Sequence, residues 1–244
     1  MDGTVYLGNK LIDGAIDAVN RMNAFSRAMF LTNNSSAART DYVKKLQKMG
    51  FSVTKDDIFT SGNATIEYLH AHYDGKKIFL FGNENLRNEF LSGGIILAED
   101  NPDLIVVGYD TTFDYPRLEK LCDLIRSGVP YITTHADINC PKEGGMKPDV
   151  GSFIALIEKS TRVSPLLVCG KPNRPIGESV ERLLGLKSHE IAMVGDRLCT
   201  DMQFALNNGF VSVLVLSGET TLEDYHKSGM HLDVVLDSIA DWDK

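Results

Sequence analysis

Short apolar runs alternate along the chain with segments whose apolar residues recur every three or four positions. The second pattern is typical of amphipathic helices, and Ile16, Val19 and Met22 are an example. The apolar runs have the length of buried strands and lie at residues 28–31, 58–60, 77–81, 104–107, 131–133, 166–169, 191–194, 211–216 and 234–236. Strand-and-helix alternation of this kind predicts an α/β fold with a doubly wound, Rossmann-like parallel sheet.

The alternation restarts at Asp74-Gly75, which suggests an inserted second α/β domain. This insert would contain one long polar segment, Thr134 to Gly151. Loops longer than about 12–15 residues are usually functional or disordered, so we expect this segment to be a functional loop. The pattern therefore predicts a discontinuous core of residues 1–74 and 166–244 and an inserted cap domain of residues 75–165.

The most informative stretch is the apolar run Ile191–Val194, which is followed at once by Gly195-Asp196 and then by Asp201. Ligands of open α/β sheets bind at the carboxyl ends of the strands. Two carboxylates there could hold a hard cation such as Mg²⁺. Alternatively, Asp196 is a turn residue and Asp201 is the N-cap of the following helix.

Polar residues that could take part in catalysis or binding occur at three other places in the chain. Thr32 and Asn33 open a run of small polar residues after an apolar strand, which suits either an anion cradle or ordinary turn chemistry. Lys171 precedes Pro172 and is therefore presented from extended backbone; the alternative is a surface charge. Asp2 belongs to an Asp-Gly turn signal, whose alternative interpretation is a frayed terminus.

Composition narrows the function classes. The chain has 244 residues, of which 43% are hydrophobic and 24% charged, as in an ordinary soluble protein. Its net charge of −8 argues against a nucleic-acid surface, and an anionic substrate would need a cation or a few placed positive groups. No apolar run is long enough for a membrane span, and no signal-peptide pattern is present. We expect a cytoplasmic enzyme without nucleic-acid or membrane partners.

Cysteine and histidine spacing adds no metal site. The four cysteines are scattered, without CxxC spacing, and are expected to be free thiols in a reducing compartment. The six histidines show no metal-ligand spacing either, so all of them are predicted to be structural or surface groups.

Taken together and in this order, the motifs resemble the haloacid dehalogenase superfamily of phosphatases. The matching stretches are the Asp-Gly-Thr opening, FLTNNS, GKPN with its lone lysine, and GDRLCTD. An α/β cap between the second and third motifs is similar to that of the large-cap subclass IIA. That branch includes nucleotide, 4-nitrophenyl phosphate, phosphoglycolate and pyridoxal phosphate phosphatases.

The resemblance implies hydrolysis of small phosphomonoesters through an aspartyl-phosphate, with Mg²⁺ as cofactor. Asp2 would be the general acid and base and would also contact the metal. Asp196 would be a metal ligand, and Asp201 would fix the water shell of the metal or the rotamer of Asp196. Lys171 would be catalytic by offsetting the charge between nucleophile and phosphate.

Further roles follow from the same resemblance. Thr32 and Asn33 would hold the transferred phosphoryl oxygens together with Lys171. Asp137 and Asn139, in the cap loop, would select the substrate, although loop chemistry alone explains them equally well. The partner would be a small phosphorylated metabolite, and cap-to-cap homodimers are expected by analogy.

One departure from the family pattern stands out. The family nucleophile is the aspartate two residues before the Asp of Asp-Gly-Thr, which here would lie ahead of Met1. The strand that normally carries it would lie there too, so we expect a short additional N-terminal piece in the complete protein. The alternative is a catalytically silent phosphate-ligand binding or regulatory protein of the same fold, and a phosphotransferase or mutase also stays open.

Overall fold

The computed structural model describes residues 1–142 and 144–242. The helices are α1 (Ala15–Asn23), α2 (Arg39–Lys48), α3 (Ser61–His72), α4 (Glu84–Ser92), α5 (Tyr115–Arg126), α6 (Val150–Thr161), α7 (Arg174–Leu184), α8 (Gln203–Asn208) and α9 (Leu222–Ser228). The strands are β1 (Tyr6–Leu7), β2 (Lys10–Leu11), β3 (Phe30–Thr32), β4 (Ile58–Thr60), β5 (Lys77–Phe81), β6 (Ile96–Leu97), β7 (Leu104–Val107), β8 (Tyr131–Thr133), β9 (Asn139–Lys142), β10 (Gly145–Pro148), β11 (Leu167–Val168), β12 (Ala192–Gly195), β13 (Val211–Val215) and β14 (Val234–Leu236).

The chain divides into two compact units. Unit 1 comprises Met1–Leu31, Val43–Ile58 and Lys171–Lys244, and unit 2 comprises Thr32–Tyr42 and Phe59–Gly170. These boundaries differ from those predicted from the sequence, because residues 32–42, 59–74 and 166–170 group with the inserted segment. The division into core and cap at residues 75 and 165 stays a prediction.

Unit 2 is built on a five-stranded parallel sheet of order β11-β8-β7-β5-β6. Strands β5, β7 and β8 are buried apart from Lys77 at the start of β5, as expected of parallel strands with both faces covered. Ile78 and Leu80 pack into one apolar cluster, and Phe79 and Phe81, which alternate with them along β5, pack into another. This sheet and its helices confirm the predicted α/β class with a parallel sheet.

Strand β11 lies in a different unit from the one expected. The sequence pattern suggested that residues 166–169 return to the core, but Leu167 and Val168 pair in parallel with Ile132 and Thr133 of β8. Pairing partners lie far apart in sequence, so no local pattern specifies them.

The prediction that Thr134 to Gly151 form one long loop is wrong, because the segment contains regular secondary structure. Strands β9 and β10 form an antiparallel hairpin within it, and α6 begins at Val150. Asp149 is the N-cap of that helix, and its Oδ1 accepts a hydrogen bond from the Val150 amide at 2.7 Å. The hairpin was missed because β10 is exposed along its whole length and lacks an apolar face.

Unit 1 contains the parallel sheet β12-β13-β14, with β14 at one end. Met193 and Val194 of β12 are only half-buried, in contrast to the fully buried strand that the sequence suggested. In the described sheet β12 is the other end strand.

The start of unit 1 is ordered, so the frayed-terminus alternative is wrong. Thr4, Val5 and Tyr6 are buried, and the short strands β1 and β2 pair as an antiparallel hairpin. Strands β3 and β4 form a separate two-stranded sheet. No helix within residues 1–142 and 144–242 has the length and apolar character to cross a membrane.

Candidate functional site

The residues predicted from the sequence fall into two sets, one in each unit. Unit 1 holds Asp2, Lys171, Asp196 and Asp201; unit 2 holds Thr32, Asn33, Asp137 and Asn139.

Asp196 follows strand β12 and is buried, with only 3% of the residue's surface exposed. Oδ2 accepts a hydrogen bond from the Glu219 amide at 2.9 Å, and Oδ1 accepts one from the Thr4 hydroxyl at 3.4 Å. A Cβ at either Gly3 or Gly218 would lie 2.1 Å from Oδ2. Two glycines therefore give this carboxylate the space that it occupies.

Asp201 lies within a π-helical turn, Leu198–Met202, immediately before α8. The N-cap position of α8 is Met202, without a side-chain capping bond, so the interpretation of Asp201 as the N-cap of this helix is wrong. Its Oδ2 accepts a hydrogen bond from the Arg197 amide at 3.3 Å. Gly195 makes the close approach to the strand end feasible, since a Cβ there would lie 2.3 Å from Asp201 Cβ.

Lys171 forms a buried ion pair with Asp201. The residue is 6% exposed, and its Nζ donates to Asp201 Oδ1 at 2.5 Å. The alternative of a surface charge is therefore wrong. The peptide bond between Lys171 and Pro172 is cis.

The two carboxylates of unit 1 have pKa values shifted in opposite directions. For Asp196, burial raises the pKa, and the charge of Asp201 raises it further. For Asp201, burial also acts to raise the pKa, but the charges of the Lys171 ammonium and of the Met1 amino group, with the hydrogen bonds from Lys171 and the Arg197 amide, together hold the pKa below its usual value. Asp196 is thus a buried carboxylate that a nearby cation would stabilise.

This environment fits a divalent metal ion. Carboxylate oxygens are the ligands that Mg²⁺ and Ca²⁺ prefer, and a bound cation would offset both the burial of Asp196 and its repulsion from Asp201. Asp2, the other predicted ligand, is exposed, and its Oδ1 accepts a hydrogen bond from the Gly8 amide at 3.1 Å.

The predicted phosphate-binding residues of unit 2 lie at the end of β3. Thr32 is the last residue of that strand, and its Oγ1 accepts a hydrogen bond from the Asn34 amide at 3.2 Å. The Asn34 Oδ1 in turn accepts from both the amide and the hydroxyl of Ser36, each at 2.8 Å. Turn chemistry, one of the two interpretations considered for this segment, is therefore present.

Asn33 is the residue of this segment that contacts the predicted substrate loop. It is 5% exposed, its Nδ2 donates to Asp137 Oδ1 at 3.2 Å, and its carbonyl oxygen accepts from the Ser61 hydroxyl. Asn139 is exposed on β9 and pairs with Pro148 in the hairpin. Unit 2 thus brings Asn33 and Asp137 together, whereas Asn139 lies on the hairpin.

His135 is a buried polar residue whose place the sequence did not reveal. Its Nε2 lies 2.9 Å from Asp149 Oδ1 and its Nδ1 lies 2.9 Å from Thr134 Oγ1. The available signal was the run of polar residues directly after β8, the same signal that singled out Thr32 and Asn33. The prediction that all histidines are structural or surface groups did not anticipate its proximity to Asn33 and Asp137.

Among the described residues, His135, Asp137 and Asp149 also form a group whose ligand atoms lie within 4.8 Å of one another, close enough to share a metal ion. Both ring nitrogens of His135 already have hydrogen-bond partners, however. We therefore interpret this group as a hydrogen-bonded network.

Comparison with known proteins now defines the class. Residues 1–96 match the family model described as haloacid dehalogenase-like hydrolase, and residues 168–242 match a second model of such hydrolases. An acid sugar phosphatase of Staphylococcus aureus is 32% identical over 226 residues, which cover 92% of this chain and 87% of that protein.

Solved structures agree. The crystal structure of a 4-nitrophenylphosphatase from Thermotoga maritima superimposes with a TM-score of 0.95 at 42% identity and covers 99% of this chain and 93% of its own. A p-nitrophenyl phosphatase from Archaeoglobus fulgidus gives a TM-score of 0.92 at 28% identity, covering 99% and 95% of the two chains.

The chain belongs to the haloacid dehalogenase-like hydrolase family. Within that family it is placed by these relatives among the phosphoric monoester hydrolases of the large-cap subclass IIA. Phosphatases of this family generally use a divalent metal ion.

Proposed function

We propose that this protein is a Mg²⁺-dependent phosphatase that hydrolyses small phosphorylated metabolites through an aspartyl-phosphate intermediate. The observation that carries the proposal is the arrangement in unit 1, where the buried pair Lys171–Asp201 adjoins the buried carboxylate of Asp196. A buried cation and a carboxylate with a raised pKa, both at strand ends, are the electrostatic features that an anionic substrate and a metal ion require.

Mg²⁺ would be held by Asp196 together with Asp2, and when bound it would neutralise charge on the phosphoryl group. Asp201 would keep the Lys171 ammonium in place through their 2.5 Å hydrogen bond. That ammonium would offset the repulsion between a phosphate dianion and a chain whose net charge is −8.

In the proposed reaction the nucleophilic carboxylate precedes Asp2 by two positions, ahead of Met1. It attacks phosphorus, forms an acyl phosphate and expels the alkoxide, which takes a proton from Asp2. Asp2 then accepts a proton from the water that hydrolyses the acyl phosphate, so the carboxylate and inorganic phosphate are released.

The substrate class rests on the relatives. One is named an acid sugar phosphatase and others are named 4-nitrophenyl phosphatases, so sugar phosphates are the first natural substrates to test. Thr32 and Asn33 would hold the phosphoryl oxygens, and Asp137 and Asn139 lie on the segment from which the family pattern draws substrate contacts.

The test is turnover of 4-nitrophenyl phosphate and a panel of sugar phosphates by a protein that includes the nucleophilic aspartate, with Mg²⁺ and after EDTA treatment. Asp196→Asn and Lys171→Met should each lower kcat by about 10²–10³-fold, as loss of a transition-state charge contact does. Lys10→Met, which removes an exposed lysine of unit 1, is the matched control and should leave turnover unchanged.

Two results would contradict the proposal. Turnover that survives EDTA and Asp196→Asn would exclude the metal site, whereas phosphate binding without any turnover in a protein that includes the nucleophilic aspartate would indicate the silent binding protein. The codons upstream of Met1 supply an independent check, because an aspartate two positions before Asp2 is required by the mechanism.

A further inference from the structure

We propose that Asp137 is a positioning residue that acts through Asn33, so that it sets the geometry of the phosphate-binding segment for every substrate and does not select among substrates. The inference rests on the proposed function, since it assigns Asn33 to phosphate binding. It concerns unit 2 alone, where both residues lie.

Asn33 is fixed from several directions. Its side-chain Nδ2 donates to Asp137 Oδ1 at 3.2 Å, and its carbonyl oxygen accepts the hydroxyl hydrogen of Ser61. Gly170 packs so closely that a Cβ there would lie 2.8 Å from Asn33 Oδ1. Because the side chain and the following peptide plane are both held, the direction of the Asn33 main chain is held as well.

Asp137 is itself anchored by the start of α6. The Gly151 amide donates to the Asp137 carbonyl at 2.9 Å, and the Asp149 amide donates to the Ile138 carbonyl at 2.9 Å. A Cβ on Gly151 would lie 2.4 Å from the Ala136 carbonyl oxygen, so glycine is needed for the helix to approach this backbone. The Asp137 carboxylate therefore extends from backbone that a helix N-terminus holds in place.

A network of buried polar side chains also holds Asn33 and the start of α6 in place. His135 connects Asp149, the N-cap of α6, to Thr134, and its Nδ1 lies 3.5 Å from the Ser61 hydroxyl that bonds Asn33. Thr134 Oγ1 also lies 3.0 Å from the hydroxyl of Ser35, two residues beyond Asn33. Fully bonded buried networks of this kind make a segment rigid.

The consequence differs from that of a specificity residue. Holding a phosphate-binding group in its reactive geometry lowers the barrier for every phosphoester alike, because the transferred phosphoryl group is the same in all of them. A residue that contacts the leaving group would instead change the ranking of substrates.

The variants Asp137→Ala and Asp137→Asn, with Glu119→Ala as the control, separate these roles. Asparagine keeps an oxygen acceptor for Asn33 Nδ2 but loses the charge, whereas alanine loses the acceptor. We expect Asp137→Ala to lower kcat by about three- to tenfold on 4-nitrophenyl phosphate and on sugar phosphates alike, as loss of one hydrogen bond would. Asp137→Asn should restore most of that loss, and Glu119→Ala, which removes an exposed carboxylate of α5 in the same unit, should leave kcat on every substrate unchanged.

The double variant Asn33→Ala/Asp137→Ala completes the kinetic test. If Asp137 acts through Asn33, its removal has no further effect on kcat once Asn33 is gone. Additive losses, equal losses in Asp137→Ala and Asp137→Asn, or a loss that differs more than threefold between substrates would overturn the inference.

A second measurement does not depend on turnover. The side-chain amide signal that disappears from the ¹⁵N spectrum in Asn33→Ala identifies Asn33, and it should shift in Asp137→Ala while staying in place in Glu119→Ala. An unshifted signal in Asp137→Ala would overturn the inference even in an active enzyme. A shift in a chain without turnover would uphold the contact while the proposed function failed.

Discussion

The Asp196 carboxylate occupies space that any side chain at Gly3 or Gly218 would take, so both positions require glycine. The two positions differ, since Gly3 has a φ of 76°, in the left-handed region, whereas Gly218 has no such requirement. Only steric exclusion therefore demands glycine at Gly218. The sequence indicated Asp196 from the end of an apolar run, but neither glycine could be assigned to it before the chain was folded.

Gly218→Ala should displace the Asp196 carboxylate without straining the backbone. We expect Mg²⁺-dependent turnover to fall by at least about tenfold, because metal ligands act only within a narrow range of positions. Gly145→Ala is the control, since the nearest atom to its Cβ would be Lys142 Cε at 3.9 Å. Turnover against Mg²⁺ concentration, together with the melting temperature, measures both effects; a Gly218→Ala enzyme with unchanged Mg²⁺ dependence would contradict the steric argument.

At the scale of elements, strand ends and helix caps were readable from the sequence, whereas cross-element polar contacts were not. The capping box at the start of α9 joins Thr221 and Asp224, three residues apart in the sequence, and both of its hydrogen bonds are present. Glu89 of α4 had no such local signal. Its Oε1 accepts from Asn63 Nδ2 in the first turn of α3 at 2.7 Å and lies 3.7 Å from Arg39 Nε.

Glu89 makes the stability of the fold depend on pH. Burial raises the pKa of Glu89 above the usual 4.5. The hydrogen bond from Asn63 and the charge of Arg39 both lower this pKa, but by less than burial raises it. A group whose pKa is higher in the folded than in the unfolded state stabilises the fold fully at pH values below its unfolded-state pKa. This contribution to stability is lost as the pH rises through its folded-state pKa. Glu89→Gln keeps an acceptor for Asn63 and carries no charge, so it should be more stable than the native chain at neutral pH.

Urea unfolding at intervals from pH 4 to pH 7 measures this effect. The advantage of Glu89→Gln should shrink as the pH approaches 4.5 from above. Glu119→Gln, at an exposed position of α5, should show no comparable pH-dependent advantage. A Glu89→Gln chain that is less stable than the native one at neutral pH would show that the pair with Arg39 outweighs burial.

At the scale of the whole molecule, charge connects the proposed metal site to stability. Asp196 and Asp201 are buried at 3% and 4% exposure in a chain of net charge −8, and one lysine pairs with the second of them. A cation at Asp196 binds the folded chain and not the unfolded one, so it must raise the free energy of unfolding.

We therefore expect Mg²⁺ to raise the melting temperature. At 100 times its Kd, the added free energy of unfolding is about 2.7 kcal/mol, or about 5–10 °C for a chain of this size. Differential scanning calorimetry with Mg²⁺ and with EDTA measures the shift. Asp196→Asn should abolish it, and an equal shift in that variant would place the ion elsewhere.

The sequence by itself determined the α/β class, most strands and helices, and the strand ends at which Lys171, Asp196, Thr32 and Asn33 lie. These features depend on residues that are neighbours in the chain, so hydrophobic period and turn chemistry encode them.

Only the tertiary structure decided which of these residues meet. Asn33 and Asp137 are 104 positions apart, and Lys171 and Asp201 are 30 apart. The same is true of three other features, which also depend on segments far apart in the sequence. They are the pairing partner of β11, the glycines around Asp196 and the burial of His135. Contacts between distant segments are selected by packing and by the need to pair every buried polar group, and both requirements arise only once the chain has closed on itself.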